Sequence, residues 1–291
     1  MTTVQITRNL STHLEQLGFT EREVFVDYPL WESKRVWEMH RERNGLKGAP
    51  KLFTYPENQL KLNKSEAYTV GLTLQSADGA GVEACPWRGQ CAEVCVLKNG
   101  NGRFNHVQHA RNVKTQFVME HPGFFLRLLI DELDKVRVKR PEQMRCRMNV
   151  NSDLRWYRIA PWFFERYMGG ILFYDYTKNP AILGNEEGGL VLPNYLLVPS
   201  ISENTNLVKA YEFTSHGGKV AVVTNRKKGQ AVQPAEVRDG LFGHILMPWH
   251  PLVVDGDKTD DLWSHPEGSI IDLTAKGQAR TLGEGFVRHV Y

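Results

Sequence analysis

Three cysteines, Cys85, Cys91 and Cys95, fall within eleven residues and are the chain's most reactive cluster. Their C-x5-C-x3-C spacing fits a shared metal better than disulfides, because one bridge would strand the third thiol. Three thiolates hold zinc with a fourth ligand, or three irons of a [4Fe–4S] cluster with one iron left open. Ligand counting favours the cluster, since the chain has no second paired-cysteine knuckle. His106 and His109 are the fourth ligands nearest in sequence for zinc. Cys146 falls on the apolar face of a candidate strand, where a thiol behaves as a small hydrophobe. The simplest alternative is three reduced structural thiols.

A second group of polar residues lies in MRCRMNVNSD, Met144 to Asp153. In a strand, alternation puts Cys146, Met148 and Val150 on one face and Arg145, Arg147, Asn149 and Asn151 on the other. Such a polar face requires a wet interior or an edge strand with one side in water. On the first reading Arg145 and Arg147 contact substrate, with Tyr176 beside them, while Asn149, Asn151 and Ser200 contact a cofactor. Asp153 and Lys178 fall just past strand ends, where open α/β sheets and barrels place chemistry. They form the candidate catalytic pair, a proton acceptor and a base or anion-binding ammonium. A helix N-cap and a solvated loop lysine are the simpler readings of the two. Asp255, Asp257, Asp260 and Asp261 read as an acidic turn, because the EF-hand spacing and its closing glutamate are missing. GxGxxG and Walker loops are absent.

The elements that must position these groups alternate. YTVGLTL, from Tyr68 to Leu74, has strand composition and runs into the turn residues before Cys85. Val107, Ala110, Val113 and Phe117 recur at helical spacing, and Pro122-Gly123 closes that helix. The next helix has Leu126, Leu129, Leu133 and Val136 on its apolar side and Asp131, Glu132 and Asp134 on the other. Further strands are expected at Ile171 to Lys178, Tyr195 to Ser202 and Lys219 to Asn225, with GHILMP and SIIDLT as weaker ones. The alternation predicts an α/β fold, an open or partial (β/α) barrel of about six mainly parallel strands with right-handed crossovers. Residues 1–63 form an N-terminal helical extension, docked by Trp31, Val36 and Trp37 onto a main domain spanning residues 64–291.

At 291 residues with a net charge of +3, the chain has no long apolar run and no signal-peptide pattern, so a cytoplasmic location without a membrane partner is expected. That charge is too small to mark a nucleic-acid binder, although basic residues gather at Arg137 to Arg147 and Arg226 to Lys228. A solvated face is the plainer account of both clusters.

CPWRGQCAEVCV, a helix carrying Arg111-Asn112, MNVNSD and FYDYTKN together resemble the phage gene-product-88 family over roughly Tyr68 to Asn225. Residue by residue, the resemblance falls on Cys85, Cys91, Cys95, Asn112, Asp153, Tyr176, Thr177 and Lys178. It implies a phage or mobile-element origin, hence the host cytoplasm. The layout is also loosely similar to radical S-adenosylmethionine enzymes, which implies a [4Fe–4S] cluster whose open iron chelates S-adenosylmethionine. The C-x5-C-x3-C spacing departs from the C-x3-C-x2-C of those enzymes, and their glycine-rich motif is not evident. The expectation is an iron–sulfur enzyme acting on a nucleotide, nucleic acid or small metabolite. The alternative is a zinc-stabilised, non-catalytic nucleic-acid-binding protein whose affinity falls steeply with salt.

Overall fold

The computed structural model describes residues 8–59, 62–76, 80–95, 100–227, 229–245 and 250–290. The chain begins with β1 (Arg8–Asn9), α1 (Leu10–Leu17), α2 (Glu21–Val26), α3 (Leu30–Arg43), β2 (Phe53–Thr54), β3 (Thr69–Leu72) and β4 (Val82–Glu83). It continues with α4 (Asn105–Glu120), α5 (Pro122–Lys139), β5 (Met144–Arg147), α6 (Trp156–Ile159), α7 (Pro161–Glu165), β6 (Ile171–Thr177), β7 (Leu190–Leu192) and β8 (Tyr195–Pro199). The last elements are α8 (Leu207–Ser215), β9 (Val220–Thr224), α9 (Pro234–Phe242), β10 (Leu252–Asp255), β11 (Ser269–Thr274) and β12 (Val287–Arg288). None of these helices is long and apolar enough to cross a membrane.

The result is a mixed α/β fold whose strands run mostly parallel. Among the described residues one sheet has the order β2-β3-β5-β6-β8-β7 and another β10-β11-β9-β12, while β1 pairs with β4. The centre of the first sheet is parallel, and its edge strands β2 and β7 are antiparallel. The second sheet is parallel throughout. A bridge between Ser200 and Ala221 joins the two, with the Ile201 amide donating to the Ala221 carbonyl at 2.8 Å. Two residues further along the same edge of β9, β12 takes over the pairing at Val223.

Among the described residues, strand alternation sorts most of the buried apolar strand residues into two of the three core clusters. Phe173, Tyr195, Leu197, Val220, Val222 and Ile270 pack under the helices. Their neighbours Tyr174, Leu196, Val198, Ala221 and Ile271 form a second cluster drawn from both sheets. Cys146 belongs to the first, as its strand face predicts, and burial pushes its thiol well above the ordinary range.

The strand expected over Met144 to Asp153 stops at Arg147. There the Asp175 carboxylate on β6 accepts the Met148 amide at 3.1 Å and the Asn149 amide at 2.8 Å. A side chain thus replaces the neighbouring strand's carbonyls, and the backbone turns away. SIIDLT becomes β11, at the centre of its sheet, whereas GHILMP lies largely outside the described residues. Of the residues expected to dock the N-terminal segment, Trp37 is buried and Val36 packs against the core, while Trp31 is 64% exposed.

α5 starts on Pro122, whose missing N–H costs nothing in the first turn. Glu132, expected on the polar side of this helix, instead reaches the first sheet's edge. Its carboxylate accepts the amides of Leu52 at 2.8 Å and Phe53 at 3.2 Å and the Tyr55 hydroxyl at 2.7 Å. Burial raises its pKa, and those hydrogen bonds together with Lys114 oppose the shift. Glu132→Ala is expected to lower stability by about 2–3 kcal/mol, because it strands partly buried donors. Urea unfolding would measure it, and a change below about 0.5 kcal/mol would refute a docking role.

Candidate functional site

A cavity of about 610 Å³ opens over the carboxy-terminal ends of the parallel strands. Gln75 and Ser76 reach it after β3, Asn149 to Asp153 after β5, Thr177 and Lys178 at the end of β6, and Ser200 after β8. From the second sheet come Val223 of β9, Leu273 and Thr274 of β11, and Lys276. In parallel α/β sheets this is the end at which loops converge on a ligand.

The cysteine loop forms another wall, with Cys85, Cys91 and Cys95 all half-buried, outside any disulfide and facing the same cavity. The Asp153 amide donates to the Ala84 carbonyl at 2.8 Å, tying the loop's start to the turn after β5. The Cys85 amide donates to Glu83 Oε1 at 2.7 Å, and its Sγ donates to the Asn151 carbonyl at 3.5 Å. In mid-loop the Gln90 amide donates to Glu203 Oε1 at 2.7 Å, while Gln90 Oε1 accepts the Phe286 amide at 3.0 Å. Gly89 permits this approach, since a Cβ there would stand 1.8 Å from Glu203 Oε1. Cys95 Sγ lies 3.2 Å from Ser76 Oγ.

Arg111 on α4 faces Cys95. Burial lowers its pKa, and the neighbouring Cys95 opposes that shift. Gln75 Oε1, Arg111 Nη1 and Asn112 Oδ1 are buried polar atoms without a hydrogen-bond partner in the structure. Gln75 is joined to α4 through its amide, which donates to Thr115 Oγ1 at 2.8 Å. Of these three, Gln75 lines the cavity, and an orphaned buried group there is what a polar ligand satisfies.

On the facing wall the expected catalytic residues meet. Asp153 accepts from Thr177 Oγ1 at 2.7 Å and from the Lys178 amide at 2.8 Å. Its carboxyl is nevertheless pushed up to about 6, because desolvation outweighs those hydrogen bonds and the lysine charge. A carboxyl with that pKa exchanges protons near neutrality. Lys178 Nζ donates to Ser200 Oγ at 3.0 Å and sits 4.7 Å from the Phe286 ring centre.

The other expected site residues divide. Asn149 lines the cavity, but its side chain organises the turn, donating to the Leu154 carbonyl and accepting from Ser152 Oγ and the Leu154 amide. Asn151 and Tyr176 line the cavity, and the Tyr176 hydroxyl has no partner. Arg147 forms part of the floor with its guanidinium 2.7 Å from Asp260 and stacked near Tyr174 and Tyr176. Arg145 is not part of the cavity lining and is bound to Asp261 at 2.9 Å. The polar strand face thus carries ion pairs to the acidic turn.

Sequence reading missed Ser76, Glu203, Phe286 and Lys276. Ser76 sits among turn residues right after a strand, which was the available signal. The others come from distant segments with no local pattern.

A family model described as gene product 88 matches residues 41–289. No curated protein and no solved structure matches the chain.

Proposed function

The chain belongs to the gene product 88 family, and from that premise and the cavity we propose that it is a phage iron–sulfur enzyme, similar to radical S-adenosylmethionine enzymes, acting on a small metabolite or nucleotide. The observation that carries this reading is the convergence of all three loop cysteines and the ends of β3, β5, β6, β8, β9 and β11 on one cavity. The cluster of inward residues shared by both sheets supports a partial (β/α) barrel around it.

Cys85, Cys91 and Cys95 would hold a [4Fe–4S] cluster. Three thiolates with no second cysteine pair in the chain favour the cluster over the zinc alternative by ligand counting. When bound, such a cluster supplies electron transfer and an open coordination position to the cavity. Ser76 Oγ lies within hydrogen-bond reach of the Cys95 sulfur. Asn151 and Ser200 would contact a polar cofactor such as S-adenosylmethionine, in the cavity that the unpartnered Gln75 amide oxygen also lines. Lys178, fixed by Ser200 and Phe286, would bind a carboxylate or phosphate of the substrate. Asp153 would accept or return a proton at its carboxylate. The nucleic-acid reading has less support, because Arg145, Arg147 and Arg226 are all engaged by aspartates.

Anaerobic purification with metal analysis and an optical spectrum tests the proposal. Iron and sulfide at about four per chain, with visible absorption, are expected of a cubane cluster. Cys91→Ala is expected to lose the colour and most of the iron, and Cys146→Ala to keep both. A Cys91→Ala chain with a full cluster would sink the assignment. Zinc at about one per chain with no colour would instead favour the binding-protein reading.

A further inference from the structure

A second group of ligand-type side chains lies away from the cavity, where α4 ends and α5 begins. Glu120 and His121 meet His40 of α3 there, and none of the three lines the cavity. Among the described residues, this is the one group of three or more His, Cys, Asp or Glu ligand atoms that all fall within 4.8 Å of one another.

The hydrogen bonding fixes the chemistry of His40. Its ring is buried, and Nε2 lies 3.0 Å from the Val113 carbonyl oxygen. A carbonyl can only accept, so Nε2 carries the hydrogen and Nδ1 of the neutral ring offers a lone pair. That Nδ1 lies 3.6 Å from Glu120 Oε2, and His121 Nε2 is 4.0 Å from the same oxygen. Two acceptors facing each other are unfavourable unless a proton or a cation lies between them. Metal-bound histidines characteristically donate their other N–H to a backbone carbonyl, as His40 does.

The surroundings hold the two rings in place and leave the third ligand accessible. Trp37 stacks on His40 at 6.0 Å, and Phe117 packs between the imidazoles at 5.2 and 5.4 Å. The Glu120 side chain is 53% exposed and that of His121 36%, which gives an ion a route in and leaves positions for water.

We propose that His40, Glu120 and His121 form a site for a divalent transition metal of the zinc class, clasping α3 to the α4–α5 corner. Two imidazole nitrogens and one carboxylate oxygen suit zinc, cobalt or nickel, whereas calcium and magnesium take oxygen ligands. The site does not depend on the cysteine cavity.

Titration of the full chain with Co²⁺ and Zn²⁺ tests it. One Co²⁺ per chain is expected, with visible bands but without the near-ultraviolet charge-transfer absorption of thiolate ligation. Glu120→Gln and His121→Gln are expected to weaken that binding about a hundredfold, while melting as the wild type does in chelator. Zn²⁺ should raise the melting temperature of the wild-type chain and leave both variants unchanged. Binding that keeps its affinity in both variants, or that carries only the thiolate signature, would overturn the proposal. So would the absence of binding, which would make His40 and Glu120 an ordinary ion pair.

Discussion

An Asp175→Ala chain is expected to lose about 3–5 kcal/mol of unfolding free energy. Asp175 is fully buried and accepts three donors: the amides of Met148 and Asn149 and the Tyr195 hydroxyl, the last at 2.8 Å. Arg147 Nε stands 3.9 Å from the same carboxylate. Alanine would leave all three donors without an acceptor inside the core and remove one countercharge from a buried guanidinium. Asp175→Asn keeps one acceptor oxygen and should lose less.

The same residue predicts a pH dependence. Burial pushes Asp175 up to about 7, against the opposing effects of Arg147, Tyr195 and the two amides. In the unfolded chain an aspartate titrates near about 3.9, so between these values the native state holds a proton that the unfolded state has released. This contribution is fully present below the unfolded pKa and is lost as pH rises through the folded one. Relative to Asp175→Asn, wild-type stability should therefore fall between pH 5 and pH 8, at most by about 1.4 kcal/mol per pH unit. Urea unfolding of both chains across that range would show it, and parallel profiles would refute the assignment.

A loss of similar size, about 3–5 kcal/mol, is expected for Arg226→Ala. The Arg226 side chain is almost fully buried and reaches Asp255 and Asp272 at 2.8 Å and Asp257 at 3.3 Å. Asp272 lies in β11, is fully buried and also accepts from Thr224 Oγ1 at 2.6 Å. Arg226 Nη1 further donates to the Gln230 carbonyl. Without the guanidinium, the aspartates of two neighbouring strands and their turn would share a site that has lost a buried countercharge. Arg226→Lys should recover only part of the loss, because one ammonium cannot fork across several carboxylates. A cost below about 1 kcal/mol in denaturant unfolding would mean that the aspartates relax into water.

Both predictions concern what the sequence could not show. The alternation of strands and helices was readable, because periodicity is local and each element carries its own apolar face. So was the clustering of Cys85, Cys91 and Cys95, and the placing of Asp153, Lys178 and Ser200 at strand ends that meet in one cavity. The early end of β5 was not readable, since Asp175, nearly thirty residues later, supplies the acceptor that turns the chain. Likewise Arg147 and Asp260 are separated by 113 positions, so the acidic turn looked like a cation loop or a solvated one. Its cations are protein side chains, the guanidinium groups of Arg145, Arg147 and Arg226 and the Lys276 ammonium. The closest available hint was an aspartate inside the otherwise apolar-aromatic ILFYDYT strand. Glu132 and His40 escaped for the same reason, their partners being contributed by other elements.

The fastening of the cysteine loop has a mechanical consequence. Gln90, the residue before Cys91, is held at its amide by Glu203 and at its side chain by the backbone before β12. The neighbouring Phe286 ring in turn lies against Lys178, at the end of β6. Through Gln90 the loop is therefore tied at once to the turn after β8 and to the segment before β12, one from each sheet. A molecule that moved those sheets apart, or drew Lys178 off Phe286, would load the tether that holds Gln90 next to Cys91.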